Sequence, residues 1–599
     1  MADSTSGNLR LPEQDLTSYP HFELQGAAAA AWAEALPLGN AHRACMTLRT
    51  VLSDLNRVAL APATRFALLE ELRPALCQAT AGLTQTLLGE SALITEEAEA
   101  NSELIADLCE LGAAGYALAA VDTIRKPDAV PDTNPARLAC EALQRAVALR
   151  SEELLQAYLV YRPVPLNHWA MLHRLYALAE RQQLANLPVM DPVRGEEATI
   201  TGEYLPGLLI ACCRTNQLRQ KEILSCFELL RHWQNLARLE DPALGVGLFV
   251  VDLAGDRPPD FSDLLPEAPR GTQRYLNTRT LVERLNALRQ RDSGGGLMLD
   301  GDLYLDSHLR DHIARALGEL SQRHFKRQPA RHRLWIATGL SSVHYFVAGE
   351  RRLDQVLYGD EHVTPLEERN AGNPFLADAA DARRDRWQQA NPEEDVDDAA
   401  VQESGLEVPY AAQEESTRSP QRHTVFTVES ANVSPGGYCV EWSGLPDGIN
   451  IGDVVCLQER EQPRGGWSIA VIRWISQVKH APTLLGLELL SPGATAYAGQ
   501  VRMPDGGYSQ PIRVLLLPEI PLVGQPHTLL APRLVFKENQ KIILSRKGET
   551  FLVKLKRQLA ATAAFGQFDF EYRRQLDDDV EQSRDALHAS RFESVWSDI

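Results

Sequence analysis

The sequence lacks the features of a secreted or membrane-spanning protein. Its first residues, MADSTSGNLR, contain no basic region followed by an apolar core, as a secretory signal would require. Its richest apolar runs, residues 26–32 and 205–213, are far shorter than the roughly 20 residues that cross a bilayer. None of the nine cysteines forms a CxxC pair, which favours free core thiols in a reducing compartment. We therefore expect a cytoplasmic protein without a membrane span.

Motifs of phosphate-binding, hydrolytic and metal-dependent enzymes are also missing. The chain has no GxxxxGK[ST], HExxH or GxSxG pattern, and Val250 stands where the GxG at Gly245 would need its third glycine. Asp300, Asp302 and Asp306 lie close together, but their spacing fits no cation-binding loop, so a solvated turn is favoured. We predict a protein that is not an enzyme, with no catalytic residue, metal site or cofactor. An enzyme that uses Asp300 and Asp302 is kept as a minor alternative.

Charge is plentiful but mainly of one sign. The 60 lysines and arginines stand against 80 aspartates and glutamates, for a formal net charge of −20. Such a chain is a poor bulk binder of nucleic acid or anionic membranes. Between residues 353 and 416, 17 acidic residues accompany only four arginines, and aliphatic runs are few. This segment cannot bury enough apolar surface to offset its chain entropy, so we predict that it is disordered.

The composition and apolar spacing of the rest of the sequence predict a multidomain α+β protein. The first 240 residues are dense in Ala, Leu, Glu, Arg and Gln, which are good helix formers, and show helical apolar spacing, with a helix end or kink expected at Pro74. RLWIATGLSSVHYFVAG is typical of a strand or hairpin, and runs such as HTVFTVES, GYCVEWS and DVVCLQE predict a β-barrel. The predicted units are a disordered N-terminus at 1–24, an all-α helical domain at 25–240, an α/β middle section at 241–352 that may supply a first barrel strand, an acidic insertion at 353–416, a β-barrel at 417–495, a second β-rich segment at 496–575 and a C-terminal helix or tail at 576–599.

One turn between two β-like runs combines several residues suited to ligand binding. NVSPGGYCVEW presents Asn432 and Ser434 as short donors and acceptors, and Gly436 and Gly437 permit close backbone approach. An ordinary β-turn would use the same residue types, so the turn alone does not identify a site.

The wider pattern resembles the PilZ domain family. An [D/N]xSxxG turn is followed in order by GDVVCLQE, WSIAVIRWIS and LLGLELL, over about 75 residues towards the C-terminus. The resemblance implies a six-stranded barrel of a family in which many members bind the bacterial second messenger cyclic di-GMP. It implies that Asn432, Ser434 and Gly437 line the face that receives a guanine and its phosphates. Trp442, Trp467 and Trp474 belong to this β-region; at least one is expected in the barrel core, and an exposed one would be able to stack on guanine.

The other half of the family's site is an RxxxR sequence before the first strand, where guanidinium forks suit phosphates and guanine edges. Arg418 and Arg422 directly precede HTVFTVES, but they leave room for one strand before the turn where the family usually has two. Arg327 and Arg331 precede RLWIATGL, which would make the acidic segment an insertion between the first two strands. Contiguity favours the first pair and strand count the second, so both stay open.

The resemblance implies a cytoplasmic, non-enzymatic cyclic di-GMP receptor. Its helical domain would pass ligand occupancy to an unidentified protein partner in motility, attachment or biofilm control. The alternative is a degenerate PilZ adaptor that binds proteins without nucleotide. Neither interpretation involves nucleic acid as a partner.

Overall fold

The computed structural model describes residues 9, 11–89, 94–129, 134–241, 247–262, 271–289, 296–299, 303–318, 328–359, 423–434, 436–460, 466–478, 481–501, 508–519, 526–533 and 535–572. The predicted C-terminal helix or tail and the acidic insertion from residue 360 onwards lie outside this part of the chain. The same holds for Arg327, Arg418, Arg422, Asp300 and Asp302.

The N-terminal domain is helical, as predicted. Side chains at the helix starts bind the first backbone N–H groups: Asn40 accepts from Arg43 N at 3.0 Å and Thr95 from Ala98 N at 3.1 Å. The helices are α1 (Gly26–Glu34), α2 (Ala41–Arg57), α3 (Pro62–Gln85), α4 (Glu96–Arg125), α5 (Pro135–Leu159), α6 (His168–Arg181), α7 (Ile200–Cys212) and α8 (Gln220–His232).

Helix α4 is the central helix of this domain. Among the described residues it alone has the length and apolar composition of a helix that could cross a membrane. However, 72% of its most apolar window is buried inside the protein. Its buried residues, such as Leu108 and Tyr116, belong to the same core as those of α2, α3 and α5. Burial in a helical core therefore accounts for its hydrophobicity.

Three local expectations for the first 240 residues are corrected. Helix α3 continues through Pro74 to Gln85, because buried Leu72 and Leu76 hold both halves in the core. A short hairpin, β1 (Val189–Asp191) and β2 (Glu196–Ala198), interrupts the helices. Residues 11–24 are not disordered but pack on α2, where Leu16 N donates to Arg57 O at 2.9 Å.

The middle section contains an antiparallel sheet and two helices. Strand order is β3-β6-β4-β5, with every neighbouring pair antiparallel, so the predicted α/β section is α+β in character. Its connections are too short for the crossovers that parallel strands need. The elements are β3 (Arg238–Glu240), β4 (Phe249–Asp252), β5 (Asp260–Phe261), β6 (Gln273–Asn277), α9 (Arg279–Arg289), β7 (Leu297–Met298), β8 (Tyr304–Leu305) and α10 (Ser307–Gly318).

A closed six-stranded barrel follows, with strand order β10-β11-β14-β13-β12-β9. Its first strand comes from RLWIATGL and pairs with both β10 and β12, which closes the barrel across the acidic insertion. Leu334, Val440 and Ile472 fill its interior. The strands are β9 (Arg333–Thr338), β10 (Phe426–Ser434), β11 (Gly437–Trp442), β12 (Val454–Glu459), β13 (Ser468–Ser476) and β14 (Thr483–Ser491).

Two helices between β9 and the insertion join this barrel to a second one. α11 (Leu340–Val347) begins after Gly339, so only the first half of RLWIATGLSSVHYFVAG is a strand. α12 (Leu353–Tyr358) accepts hydrogen bonds from Lys547 N and Gly548 N, each 2.8 Å long, so the start of the predicted disordered segment is helical. The second barrel, ordered β15-β16-β17-β20-β19-β18, consists of β15 (Thr495–Val501), β16 (Ile512–Leu517), β17 (Thr528–Pro532), β18 (Lys541–Arg546), β19 (Glu549–Ala561) and β20 (Phe565–Tyr572).

Three buried histidines bind backbone carbonyls across the boundaries between these units. His173 on α6 lies 2.8 Å from Arg257 O in the middle section, and His312 on α10 lies 2.7 Å from Cys213 O at the end of α7. His344 on α11 lies 3.0 Å from Tyr497 O in the second barrel. Since a carbonyl can only accept, each ring Nε2 must donate. The helical domain, the middle section and the two barrels thus share buried polar contacts.

Candidate ligand-binding face of the first barrel

The turn between β10 and β11 requires its last glycine. Gly437 has a φ of +152°, and a Cβ at this position would lie 1.9 Å from Leu487 O on β14. Ser434 is paired with Gly437 and donates its hydroxyl to Gly437 O at 3.2 Å. Gly436 O accepts from Leu489 N at 3.0 Å, so the turn is tied down on the strand beside it. The glycine thus lets the hairpin lie flat against β14.

A row of residues crosses four neighbouring strands on the outside of the barrel. Asn432 on β10 is the partner of Cys439 on β11, which is the partner of Gly486 on β14, which is the partner of Trp474 on β13. A Cβ on Gly486 would lie 1.8 Å from the indole Nε1 of Trp474, so the indole lies directly over this glycine. The row therefore offers an amide at one end and a half-buried indole at the other.

The segment that precedes the first strand runs beside Asn432. We call residues 328–332 the arginine segment, because it carries Arg331. Gln328 N donates to Val433 O and Val433 N donates to Gln328 O, each at 2.9 Å. Ser430 N also donates to His332 O at 3.0 Å. Backbone hydrogen bonds therefore place the arginine segment along the strand that leads into the turn.

The charges on this part of the face are exposed and mixed. The Arg331 side chain is 77% exposed, and its guanidinium lies 3.9 Å from the Glu429 carboxylate. Arg333 lies at the same distance from Glu429, while Arg473 forms an ion pair with Glu488, the partner of Gly437. Exposed pairs of this kind are weak, worth roughly 0–1 kcal/mol. An anion with several oxygen atoms can therefore displace Glu429 from its two arginines at little cost.

The two arginine pairs named from the sequence differ in what the structure says about them. Arg331 lies on the face, and Arg327, outside the described residues, directly precedes Gln328. Arg418 and Arg422 are both outside the described residues. His423, which follows Arg422, stacks on Tyr345 of α11 with 4.2 Å between ring centroids. It lies before the start of β10, whereas Asn432 lies near the end, and at about 3.3 Å per residue the strand separates the two by roughly 20 Å or more.

Sequence reasoning missed two residues of this face. Ser430 is buried under the arginine segment, and the Glu429 carboxylate faces the guanidinium of Arg331. The alternation of HTVFTVES would have placed Ser430 on the inner side of its strand, where a hydroxyl needs partners. No comparable signal marks Glu429, because its partners, Arg331 and Arg333, lie almost 100 residues earlier in the chain.

The arrangement suits binding better than bond-breaking. Guanidinium groups, an amide, a hydroxyl and an indole lie on neighbouring strands of the barrel's outer face, and such groups recognise phosphate, base edges and a base plane. Within the described part of the chain, no group of three or more His, Cys, Asp or Glu residues could hold a metal ion.

Comparison with known proteins covers nearly the whole chain. Residues 27–243 match the model of the N-terminal domain of the cyclic-di-GMP receptor FimW, residues 248–496 that of its middle PilZ domain, and residues 497–573 that of its C-terminal beta-barrel domain. A curated relative, the cyclic-di-GMP receptor FimW of Pseudomonas aeruginosa, is 28% identical over 591 residues, covering 95% of each chain. No solved structure matches significantly. The PilZ domain is thus the middle one of three domains, and not the C-terminal one as the sequence suggested.

Proposed function

We propose that this chain, which belongs to the PilZ-domain family, is a cytoplasmic, non-enzymatic receptor for cyclic di-GMP. The observation that carries the proposal is the alignment of the arginine segment with β10: Gln328 pairs with Val433, next to Asn432, and Arg331 lies along the strand that leads into the Ser434–Gly437 turn. The relative that matches along 95% of its length is named a cyclic-di-GMP receptor.

In this proposal the ligand lies across the outer row of the barrel. Arg327 and Arg331 bind phosphate and guanine through charge-assisted hydrogen bonds. Asn432 and Ser434 bind the base edge, and Gly437 allows the backbone to come close to it. Trp474 offers its ring for stacking, which contributes about 1–3 kcal/mol per base in nucleic-acid complexes. In this proposal occupancy of the face is itself the signal.

The helical domain is proposed to carry that signal to a protein partner, and the downstream response is motility, attachment or biofilm formation. Hydrogen bonds connect it to the barrel. Gln477 N, just after β13, donates to Tyr161 O at 3.1 Å, and Arg219 Nη2 donates to Asp453 Oδ1 at 3.1 Å. A change in the barrel therefore has a direct route into the helical domain.

Calorimetric titration of the full-length protein with cyclic di-GMP tests the proposal. We expect binding in the micromolar range or tighter, abolished by Arg327→Ala/Arg331→Ala. The double variant Arg418→Ala/Arg422→Ala removes the same charge and serves as the matched control, with affinity close to that of the unmodified protein. Loss of binding in the control alone would move the site to the other arginine pair. Absence of binding by the unmodified protein would favour the adaptor that works without nucleotide.

A further inference from the structure

We propose that Ser430 is a positioning residue whose buried hydroxyl holds the arginine segment against β10, so that Arg331 stands beside Asn432 before any ligand arrives. This inference rests on the proposed function. It concerns a residue outside both the turn motif and the arginine pair.

The hydroxyl of Ser430 binds both peptide groups that flank Arg331. Its Oγ donates to Ala330 O at 2.6 Å and accepts from His332 N at 2.9 Å. The side chain is well shielded, with only 1% of Ser430 exposed. One hydroxyl therefore restrains the backbone on each side of the arginine, and with it the direction in which the guanidinium extends.

An interruption in the strand ladder explains why a side chain is needed here. β9 and β10 pair regularly up to Arg333 and Glu429, and an isolated bridge then joins Gln328 to Val433 one residue out of register. β10 also has a bulge between Ser430 and Asn432 where it faces β11. Arg331 lies in this irregular stretch, opposite the bulge. The Ser430 hydroxyl supplies partners where the regular ladder does not.

Pre-positioning raises affinity because the segment need not be ordered when the ligand binds. Where only a fraction of molecules hold the segment in place, the apparent affinity falls by that fraction. Ser430→Ala removes the hydroxyl and leaves Ala330 O and His332 N without this partner. We expect it to weaken cyclic di-GMP binding by about tenfold.

Calorimetry on four full-length proteins provides the test. Ser430→Thr keeps the hydroxyl and should restore affinity close to that of the unmodified protein. Ser491→Ala is the matched control, because Ser491 is also 1% exposed and its hydroxyl bonds Gly493 O at 2.7 Å and Gly493 N at 3.5 Å, away from the arginine segment. It should leave affinity unchanged. Unchanged affinity in Ser430→Ala would overturn the proposal.

A double-mutant cycle separates positioning from a general loss of structure. In an Arg331→Ala background, Ser430→Ala should cause no further loss, because the group that Ser430 positions is gone. Equal losses in both backgrounds would show that the serine does not act through Arg331. If the unmodified protein does not bind cyclic di-GMP, the receptor function fails, but amide exchange still decides the role of Ser430. Ser430→Ala should then accelerate exchange at residues 328–332 while Ser491→Ala does not, and unaltered exchange would overturn the proposal.

Discussion

Acidification should loosen the protein at the boundaries between its domains, because three buried histidines there are neutral. Burial lowers the pKa of His173, His312 and His344 to about 4, from an ordinary value of 6.5. Neighbouring cations act in the same direction, as Arg315 does at His312 and Arg513 at His344. Nearby carboxylates oppose the shift at His173 (Asp252 and Asp256) and at His312 (Glu222), but burial has the largest effect.

The direction of the effect follows from proton binding. Since the folded-state pKa lies below the unfolded value, the unfolded chain binds more protons between pH 6.5 and 4. The stabilisation is complete above pH 6.5 and is lost as the pH falls towards 4. For one histidine with these values the loss at pH 5 is about 2 kcal/mol, and for the three together about 6 kcal/mol. This loss is large compared with the free energy of unfolding of a typical domain, which is about 5–15 kcal/mol.

Urea unfolding at pH 7.5 and pH 5, followed by tryptophan fluorescence, measures this loss. Glutamine places an amide N–H near the position of the histidine Nε2 and does not titrate, so His173→Gln/His312→Gln/His344→Gln should lose several kcal/mol less between the two pH values than the unmodified protein. The carboxylates are the same in each protein, so their contribution cancels when the losses between pH 7.5 and pH 5 are compared. His232→Gln, a substitution at an exposed histidine, should leave the loss of stability between the two pH values unchanged. A triple variant that loses as much stability as the unmodified protein would refute the reasoning.

Three further results are expected from the barrel. Glu429→Gln should tighten cyclic di-GMP binding by about two- to fivefold in calorimetry, since it frees Arg331 and Arg333 from an exposed carboxylate 3.9 Å away; weaker binding would show that Glu429 orients the arginines. Trp474→Ala should weaken binding by about tenfold or more through lost stacking; equal affinity would exclude the indole from the site. Gly437→Ala should lower the melting temperature by several degrees, because its Cβ would meet Leu487 O at 1.9 Å, whereas Gly466→Ala, with nothing within 4 Å, should not.

The sequence predicted the parts of this fold that depend on local pattern. Helical spacing identified the N-terminal domain, and the turn followed by three β-runs identified the PilZ barrel, because each is carried by residues close together in the chain. Closure of the barrel depends on β9, which pairs with β10 only after an insertion of about 90 residues. The family's strand count left this arrangement open, but local pattern alone could not decide it. The same holds for the Ser430 hydroxyl, whose partners lie 98 and 100 residues away.

The position of β13 explains how ligand occupancy would reach the helical domain. This strand carries Trp474 on the outer row, and three residues later Gln477 N donates to Tyr161 O of the helical domain. Tyr161 has a φ of +54°, which is unfavourable for a bulky side chain, and its hydroxyl donates to Leu218 O at 3.0 Å. Arg219, which follows Leu218 in the chain, contacts the loop before β12.

The contact between Arg219 and the first barrel depends on the charge of Asp453. Arg219 Nε donates to Ile451 O at 3.0 Å and its Nη2 to Asp453 Oδ1 at 3.1 Å. Burial raises the pKa of Asp453 to about 6, while the Asn450 N–H and the Arg219 cation act against that rise. The carboxylate therefore depends on these two partners to stay charged near neutral pH. A ligand can shift the domains only if it binds one of their arrangements better. A strand that joins Trp474 to a strained tyrosine, next to a partly buried ion pair, is where such a difference in free energy would act.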